Sequence, residues 1–282
     1  MSDRDMDDRY DEIYLRLEGH LNDTIKLVDE DHVVGVFLCG SQNYNLDTPQ
    51  SDVDTKAIIL PSFSDFAFDK EPRSWTHIRE NDEHIELKDL RSMFHIIRKQ
   101  NINFVEILFT NYFYVNPDYA DEWRRLLQIR ERIARYNPWL AIKTMQGHAH
   151  EKWSKMQKIT PARKAAIDTF GYDPKQLHHL LRIEEFMERY LNEEKYAQCL
   201  FSNTVEYLTK AKSGWFKVDD AMRVGERSLA NIDAMVNGAN ERELNHNDDG
   251  VVTIMNEIQY DILKKVITKE LTKKEKQNVL EK

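Results

Sequence analysis

Apolar residues recur four apart at Ile13, Leu17, Leu21 and Ile25, which predicts an amphipathic helix over residues 9–28. The pattern then changes. Residues 32–39 are rich in valine and read as a buried strand ending at Gly40, and residues 53–60 make a second apolar strand closed by Pro61 and Ser62. Between them Asn43, Asn45, Asp47, Thr48, Pro49 and Ser51 form a polar turn cluster. Residues 84–88 alternate polar and apolar, as a third strand would. From Leu90 the period is helical: Leu90, Met93, Phe94 and Ile97 share a face, and Phe104, Ile107 and Leu108 continue the apolar packing. Asn137-Pro138 marks a helix start. Gly171 ends one helix and Asp173 caps the next, with Pro174 at its first position and Gln176 placed for a capping box. Beyond that only residues 250–254 suggest a strand, and no repeat or low-complexity tract is present. The predicted class is α+β, with a small mixed sheet in residues 1–135 and a mostly helical part in residues 136–282.

Length and composition narrow the function classes. The chain has 282 residues, 41% hydrophobic and 32% charged, with 9 Gly and 7 Pro, a folded, helix-leaning composition of cytosolic type. A net charge of −9 does not advertise a nucleic-acid binder. The charge is uneven, however: residues 1–12 hold six acids against two bases, whereas residues 143–182 hold eight bases against three acids, a local +5. The longest apolar run, residues 33–39, is broken by Gly35 and falls far short of the roughly 20 residues that span a bilayer. The acidic N-terminus does not read as a signal peptide. Cys39 and Cys199 are too few for a disulfide framework or a four-ligand zinc site. Membrane, secreted and zinc-ribbon classes are therefore set aside, and a cytoplasmic enzyme is expected.

The most informative stretch runs from Gly40 to Asp54. Small residues at Gly40-Ser41, directly after a buried strand, let backbone N–H groups approach a phosphate, and a helix starting there would add its dipole. Asp52 and Asp54 open the next strand, where alternation puts both carboxylates on one face and Val53 on the other. Two adjacent carboxylates repel unless cations lie between them, and hard oxygen ligands suit Mg²⁺. A third carboxylate from a neighbouring strand would complete a pair of metal sites about 3.5–4 Å apart, suited to in-line phosphoryl displacement. Glu86 is the best candidate, facing outward with His84 and Lys88 while Ile85 and Leu87 face the core; Asp82 and Glu83 compete with it.

Strand, Gly-Ser, then Asp-x-Asp on the next strand resembles the DNA polymerase beta-like nucleotidyltransferase superfamily. Gly40-Ser41 with Tyr44, Thr48-Pro49, Ser51-Asp52-Val53-Asp54 and the basic Lys56 resemble its RNA-repair-pathway, RNA-ligase-associated branch. The segment from Asn103 through Glu106-Ile107-Leu108, then Gly147-His148-Ala149, then Gly171-Tyr172-Asp173-x-Lys175 with His179 and Arg182, are similar to that branch's later regions, in order. The likeness touches residues 35–190. Two positions depart from the pattern: Asn45 stands where the branch has Gly, an exchange that positive φ tolerates, and Lys56 stands where Arg is common.

Lys175, His179 and Arg182 are spaced four and three apart and share a helical face, so three potential cations converge; near a two-metal centre they would bind a triphosphate. The plainer reading is a solvated face pairing with Glu184 and Glu185. His148 and His150 lie two apart on a helix, about 200° around the axis, which argues against one shared metal. Lys152, Lys155 and Lys158 with Trp153 form a basic stripe that would meet an RNA backbone or simply face solvent. Cys39 reads as packed and inert.

The resemblance implies a nucleotidyltransferase moving a nucleoside monophosphate from an NTP to an acceptor hydroxyl, an RNA end, with release of pyrophosphate. Gly40 and Ser41 would hold phosphates. Asp52, Asp54 and Glu86 would hold two Mg²⁺ ions, with Mn²⁺ able to substitute, and Lys175, His179 and Arg182 would steady the triphosphate. The alternatives are nucleotidylation of a protein or small molecule, or a non-catalytic nucleotide-sensing module.

Overall fold

The computed structural model describes residues 3–48 and 51–280; Pro49 of the polar cluster lies outside them. The first amphipathic helix, α1, runs Asp3–Val28 and lays Leu17, with Tyr14, Leu21 and Val28 at its flanks, on one face of a five-stranded sheet. The strands are β1 (Val33–Cys39), β2 (Asp54–Ile59), β3 (Ser74–Ile78), β4 (His84–Asp89) and β5 (Phe113–Val115), in spatial order β3-β4-β2-β1-β5. β2 and β4 pair in parallel and every other pair is antiparallel, so the sheet is mixed. β3 and β5 are the two edges. Neither carries the apolar alternation of the inner strands: β3 is half exposed along its length and β5 is three residues long.

The sheet is covered on both faces. Val36, Ala57, Ile59, Ile85 and Leu87 pack toward α1. On the other face Phe37, Ile58 and Leu60 meet Leu90, Met93, Phe94 and Ile97, the stripe of the helix Leu90–Arg98. Short helices link the strands: α2 (Phe63–Ala67) after β2, with Ser62 closing a capping box with Asp65, and α4 (Ile102–Val105) after α3 (Leu90–Arg98). α5 (Ala120–Gln128) follows β5 and stacks Trp123 on Phe37, and α6 (Arg130–Ala134) closes this half.

The helical half starts where Asn137 accepts from the Leu140 N–H and Pro138 opens α7 (Pro138–Met156). α8 (Pro161–Phe170) ends at Gly171, which takes φ 79°. Asp173 caps α9 (Pro174–Leu191) by accepting from the Lys175 N–H. The reciprocal half of the expected capping box does not form, and Gln176 Oε1 is buried without a partner among the described residues. α10 (Tyr196–Leu200), α11 (Val205–Lys212) and α12 (Val218–Gly238) surround α9, whose Leu177, Leu180, Ile183, Phe186 and Met187 are the middle of a second core.

After the short α13 (Glu241–Leu244), residues 250–254 are not a strand but the start of α14 (Asp249–Leu280). Val251, Met255, Ile258, Ile262 and Val266 are spaced three or four apart, so five consecutive apolar anchors outweigh a short β-branched stretch. α14 returns to the sheet half, packing on α3 and α5, so residues 249–280 belong in space with the first 135 residues. No helix among the described residues is long and apolar enough to cross a membrane.

Candidate active site

The edge of the sheet where β1 ends and β2 begins is polar. Cys39 pairs with Asp54, Phe37 with Lys56, and Lys56 lies beside Glu86 in the parallel β2–β4 register. Alternation therefore lifts Asp54, Lys56 and Glu86 onto the face opposite α1, while Thr55, Ile85 and Leu87 are buried against it. Val53 is fully buried and Asp52 exposed, the split expected from the Asp-x-Asp alternation. The helical half roofs this edge, leaving a cleft of about 390 Å³.

Gly40, Ser41, Asp54, Glu86, His179 and Arg182 line the cleft, joined by Tyr44, Lys56, Asn103, Glu106 and Lys152. Asp52 and Lys175 are exposed outside its lining. Gly40 takes φ 103°, which a side chain would resist, and the chain then makes a single 3₁₀ turn, Ser41–Tyr44, rather than the helix start entertained from sequence. Four residues build no useful macrodipole, so any anion here depends on individual N–H groups and side chains. Asn45 sits at φ 57°, the left-handed conformation that glycine takes without strain. Gln42 Nε2 donates to the Asp52 carbonyl at 2.6 Å and Asn43 Nδ2 to the Leu38 carbonyl at 2.9 Å, pinning the loop to both strands.

The three acidic candidates on the β3–β4 hairpin separate cleanly. Asp82 is exposed in the turn at φ 63°. Glu83 is buried among Arg16, His20 and Arg79, away from the cleft lining. Glu86 faces the cleft, 3.2 Å from Lys88 Nζ and 3.8 Å from Lys56 Nζ. Asp54 Oδ1 accepts from the His84 backbone N–H at 3.0 Å.

Glu106 is a carboxyl that sequence reasoning did not single out as a site residue. It is buried beneath the cleft, accepts a hydrogen bond from the Tyr44 hydroxyl and lies 3.9 Å from Lys56 Nζ. Burial pushes its pKa up to about 8, against the pull of Arg182. The available signal was a lone Glu inside the apolar run Val105-Glu106-Ile107-Leu108, where a charge needs a reason. The sequence places Lys152 in a stripe that meets RNA or solvent and gives Lys56 no ligand, whereas the structure puts both in the cleft lining.

The α9 face is not the triple cation expected. Burial, with His178 and Arg182 adding repulsion, holds His179 well below its ordinary pKa, so it is neutral near pH 7. His178 Nδ1 lies 3.0 Å from the Leu208 carbonyl, and burial lowers its pKa to about 4. Arg182 remains charged in the cleft with Nε unpartnered among the described residues. Lys152, from the stripe on α7, and Lys56 are the other cations of the lining. Trp153 of the same stripe packs into the helical core against Gly225 instead of facing solvent. His148 pairs with Glu151 and His150 with Asp233, so the two point apart. Cys39 lines the cleft as an inert thiol, its pKa pushed up to about 12 by burial.

The donor chemistry of Asp54 and Glu86, hard oxygens in one cleft, fits Mg²⁺. Among the described residues, however, no three His, Cys, Asp or Glu side chains gather closely enough to hold a metal ion, and Glu86 is neutralised by two lysines.

No protein-family model matches the chain, and no curated protein matches it. Among solved structures it is similar to a nucleotidyltransferase-like protein from Exiguobacterium sibiricum 255-15, at 14% identity over 73% of this chain and 69% of that one, with a TM-score of 0.27. A TM-score that low leaves the reading of this chain to its own residues.

Proposed function

We propose that the chain is a metal-dependent nucleotidyltransferase, moving a nucleoside monophosphate from an NTP to an acceptor hydroxyl with release of pyrophosphate. The observation that carries the reading is the meeting of Asp54 and Glu86, the Gly40-Ser41 turn, and the cations Arg182 and Lys152 in one cleft. Cations on one wall meet a polyphosphate directly, whereas the carboxylates opposite would meet it only through a divalent cation held between them.

In this reading Gly40 and Ser41 approach the terminal phosphates, and Arg182 and Lys152 take the charge that grows as pyrophosphate leaves. Lys175, exposed outside the lining, and the neutral donors His179 and Asn103 would complete the phosphate contacts. Asp54 and Glu86, with Asp52 from the adjoining turn, would hold Mg²⁺, with Mn²⁺ able to substitute. When bound, the metal would supply charge neutralisation and alignment for in-line transfer. Lys56 and Lys88 both pair with Glu86.

We assign the acceptor to an RNA end. Lys212, which donates to the Leu46 carbonyl at 3.3 Å, and Lys152 both lie within Coulombic reach of Lys175, so three cations gather beside the cleft in a protein of net charge −9. The experiment is label transfer from each α-labelled NTP with Mg²⁺ or Mn²⁺, using the protein alone, with a small-RNA pool and with protein extract. Asp54→Ala and Asp52→Ala serve as controls expected to abolish transfer without unfolding. Label on RNA, weakening steeply as salt rises, supports the reading. Label on protein replaces the acceptor. Metal-dependent NTP binding without transfer favours a nucleotide sensor, and full activity in Asp54→Ala sinks the assignment.

A further inference from the structure

The carboxylate-bearing residues sit where β2 begins, after a polar loop, and a strand entry of that kind frays unless something holds it. What holds it is a buried side chain from another strand pair. Glu83, 1% exposed, takes donors on both oxygens. Oε1 accepts from the Val53 N–H at 3.2 Å and from Arg16 Nε at 2.7 Å. Oε2 accepts from Arg79 Nη1 at 3.0 Å and lies 3.0 Å from His20 Nε2.

His20 extends the hold. Its Nδ1 lies 2.8 Å from Thr55 Oγ1. With the Nε2 proton directed at Glu83, Nδ1 is left to accept from the Thr55 hydroxyl. The next hairpin residue, His84, gives its backbone N–H to Asp54. Two consecutive residues at the start of β4 therefore grip three consecutive residues at the start of β2: the backbone of Val53, the carboxylate of Asp54 and, through His20, the side chain of Thr55.

Burying an ionised carboxylate is unfavourable until its partners offset the lost hydration, and an apolar side chain would fill the space without that penalty. What an apolar side chain lacks is an acceptor aimed at the Val53 amide. We propose that Glu83 is a positioning residue: its carboxylate, braced by Arg16, His20 and Arg79, holds the Val53 amide and so fixes the backbone on which Asp52 and Asp54 sit. The catalytic consequence rests on the nucleotidyl-transfer reading; the hold on Val53 does not.

The test pairs amide hydrogen exchange at Val53, measured by NMR on the full chain without nucleotide, with transfer kinetics. In Glu83→Met, which fills much the same space, no acceptor is left for the Val53 N–H. The expected result is Val53 exchange at least tenfold faster, with Leu180 in α9 unchanged, kcat at least tenfold lower and the NTP KM within threefold of wild type. A merely structural residue would speed exchange throughout the sheet and lower activity only by the unfolded fraction. That pattern, unchanged Val53 exchange, or unchanged kcat with fast Val53 exchange overturns the proposal. Should Glu83→Met not fold, Arg16→Met, altered at a side chain 29% exposed, carries the same comparison. If wild type transfers no label, the functional reading fails and Val53 exchange alone decides whether Glu83 holds the strand entry.

Discussion

The Arg182 guanidinium lies over the Tyr44 ring, 3.3 Å from its centroid, and this one contact joins α9 of the helical half to the turn that follows β1. The same tyrosine donates its hydroxyl proton to Glu106 beneath the cleft. Roof, turn and floor are thereby linked through three side chains, and the cation that would meet a nucleotide is held flat before one arrives.

A flat guanidinium is something lysine cannot supply, since a point charge neither stacks nor forks. Arg182→Lys is therefore expected to raise the NTP KM by about tenfold, equivalent to about 1.4 kcal/mol of binding, and Arg182→Met by more. Tyr44→Phe keeps the ring under the guanidinium and should leave that KM within threefold. Nucleotide titration of the three variants checks the ranking, and an Arg182→Lys protein that binds as tightly as wild type contradicts it.

The return of α14 to the sheet half sets a second expectation. Met255 and Ile258 are buried with Phe94 and Trp123, and Lys265 pairs with Glu122 of α5 at 2.7 Å. Met255→Ala or Ile258→Ala should each cost about 2–5 kcal/mol, read in denaturant unfolding. A fragment of residues 1–135 should not fold alone, because α3 and α5 would expose the surface that α14 covers. A cooperative transition from that fragment would refute this.

What the sequence made legible follows from burial. β1, β2 and β4 are inner strands whose alternation is dictated by two covered faces, and the same alternation turns Asp54 and Glu86 toward the cleft. Edge strands answer to no such rule, and β3 and β5 left no pattern to read. Cap residues such as Asn137 and Asp173 were legible because they act locally. The neutrality of His179 and the raised pKa of Glu106 were not, since both depend on burial by elements distant in sequence. Glu83 looked like a rival metal ligand because its partners, Arg16 and His20, lie more than 60 residues away.

Acid should loosen the strand entry. Burial alone would raise the Glu83 pKa, but hydrogen bonds from His20 and Arg16, with contributions from Asn81 and the Arg16 charge, outweigh it and hold the carboxyl at about 2. A depressed carboxyl contributes stability that is present above its unfolded pKa of about 4.5 and is lost as pH falls toward 2. His20, lowered mainly by burial, adds the same sign at higher pH, because the unfolded chain takes up its proton first. Melting temperature should therefore fall steadily below about pH 6. Glu83→Gln should flatten the part below pH 4.5, and an unchanged slope there would show that Glu83 is not ionised in the fold.

Glu106 works in the opposite direction and in a separate window. Its folded pKa of about 8 lies above the ordinary carboxyl value, so from about pH 4.5 to 8 the folded chain keeps a proton that the unfolded chain has released. Stability from this group is complete below pH 4.5, declines as pH rises to about 8 and then levels off. Histidines held neutral by burial oppose the decline below about pH 6.5, which leaves pH 6.5–8 as the range where Glu106 dominates. Glu106→Gln presents the shape of the neutral acid and can still accept from Tyr44, so its melting temperature should stay level across that range while wild type falls. Parallel curves would mean that Glu106 is ionised at neutral pH, with Lys56, 3.9 Å away, as its counter-charge.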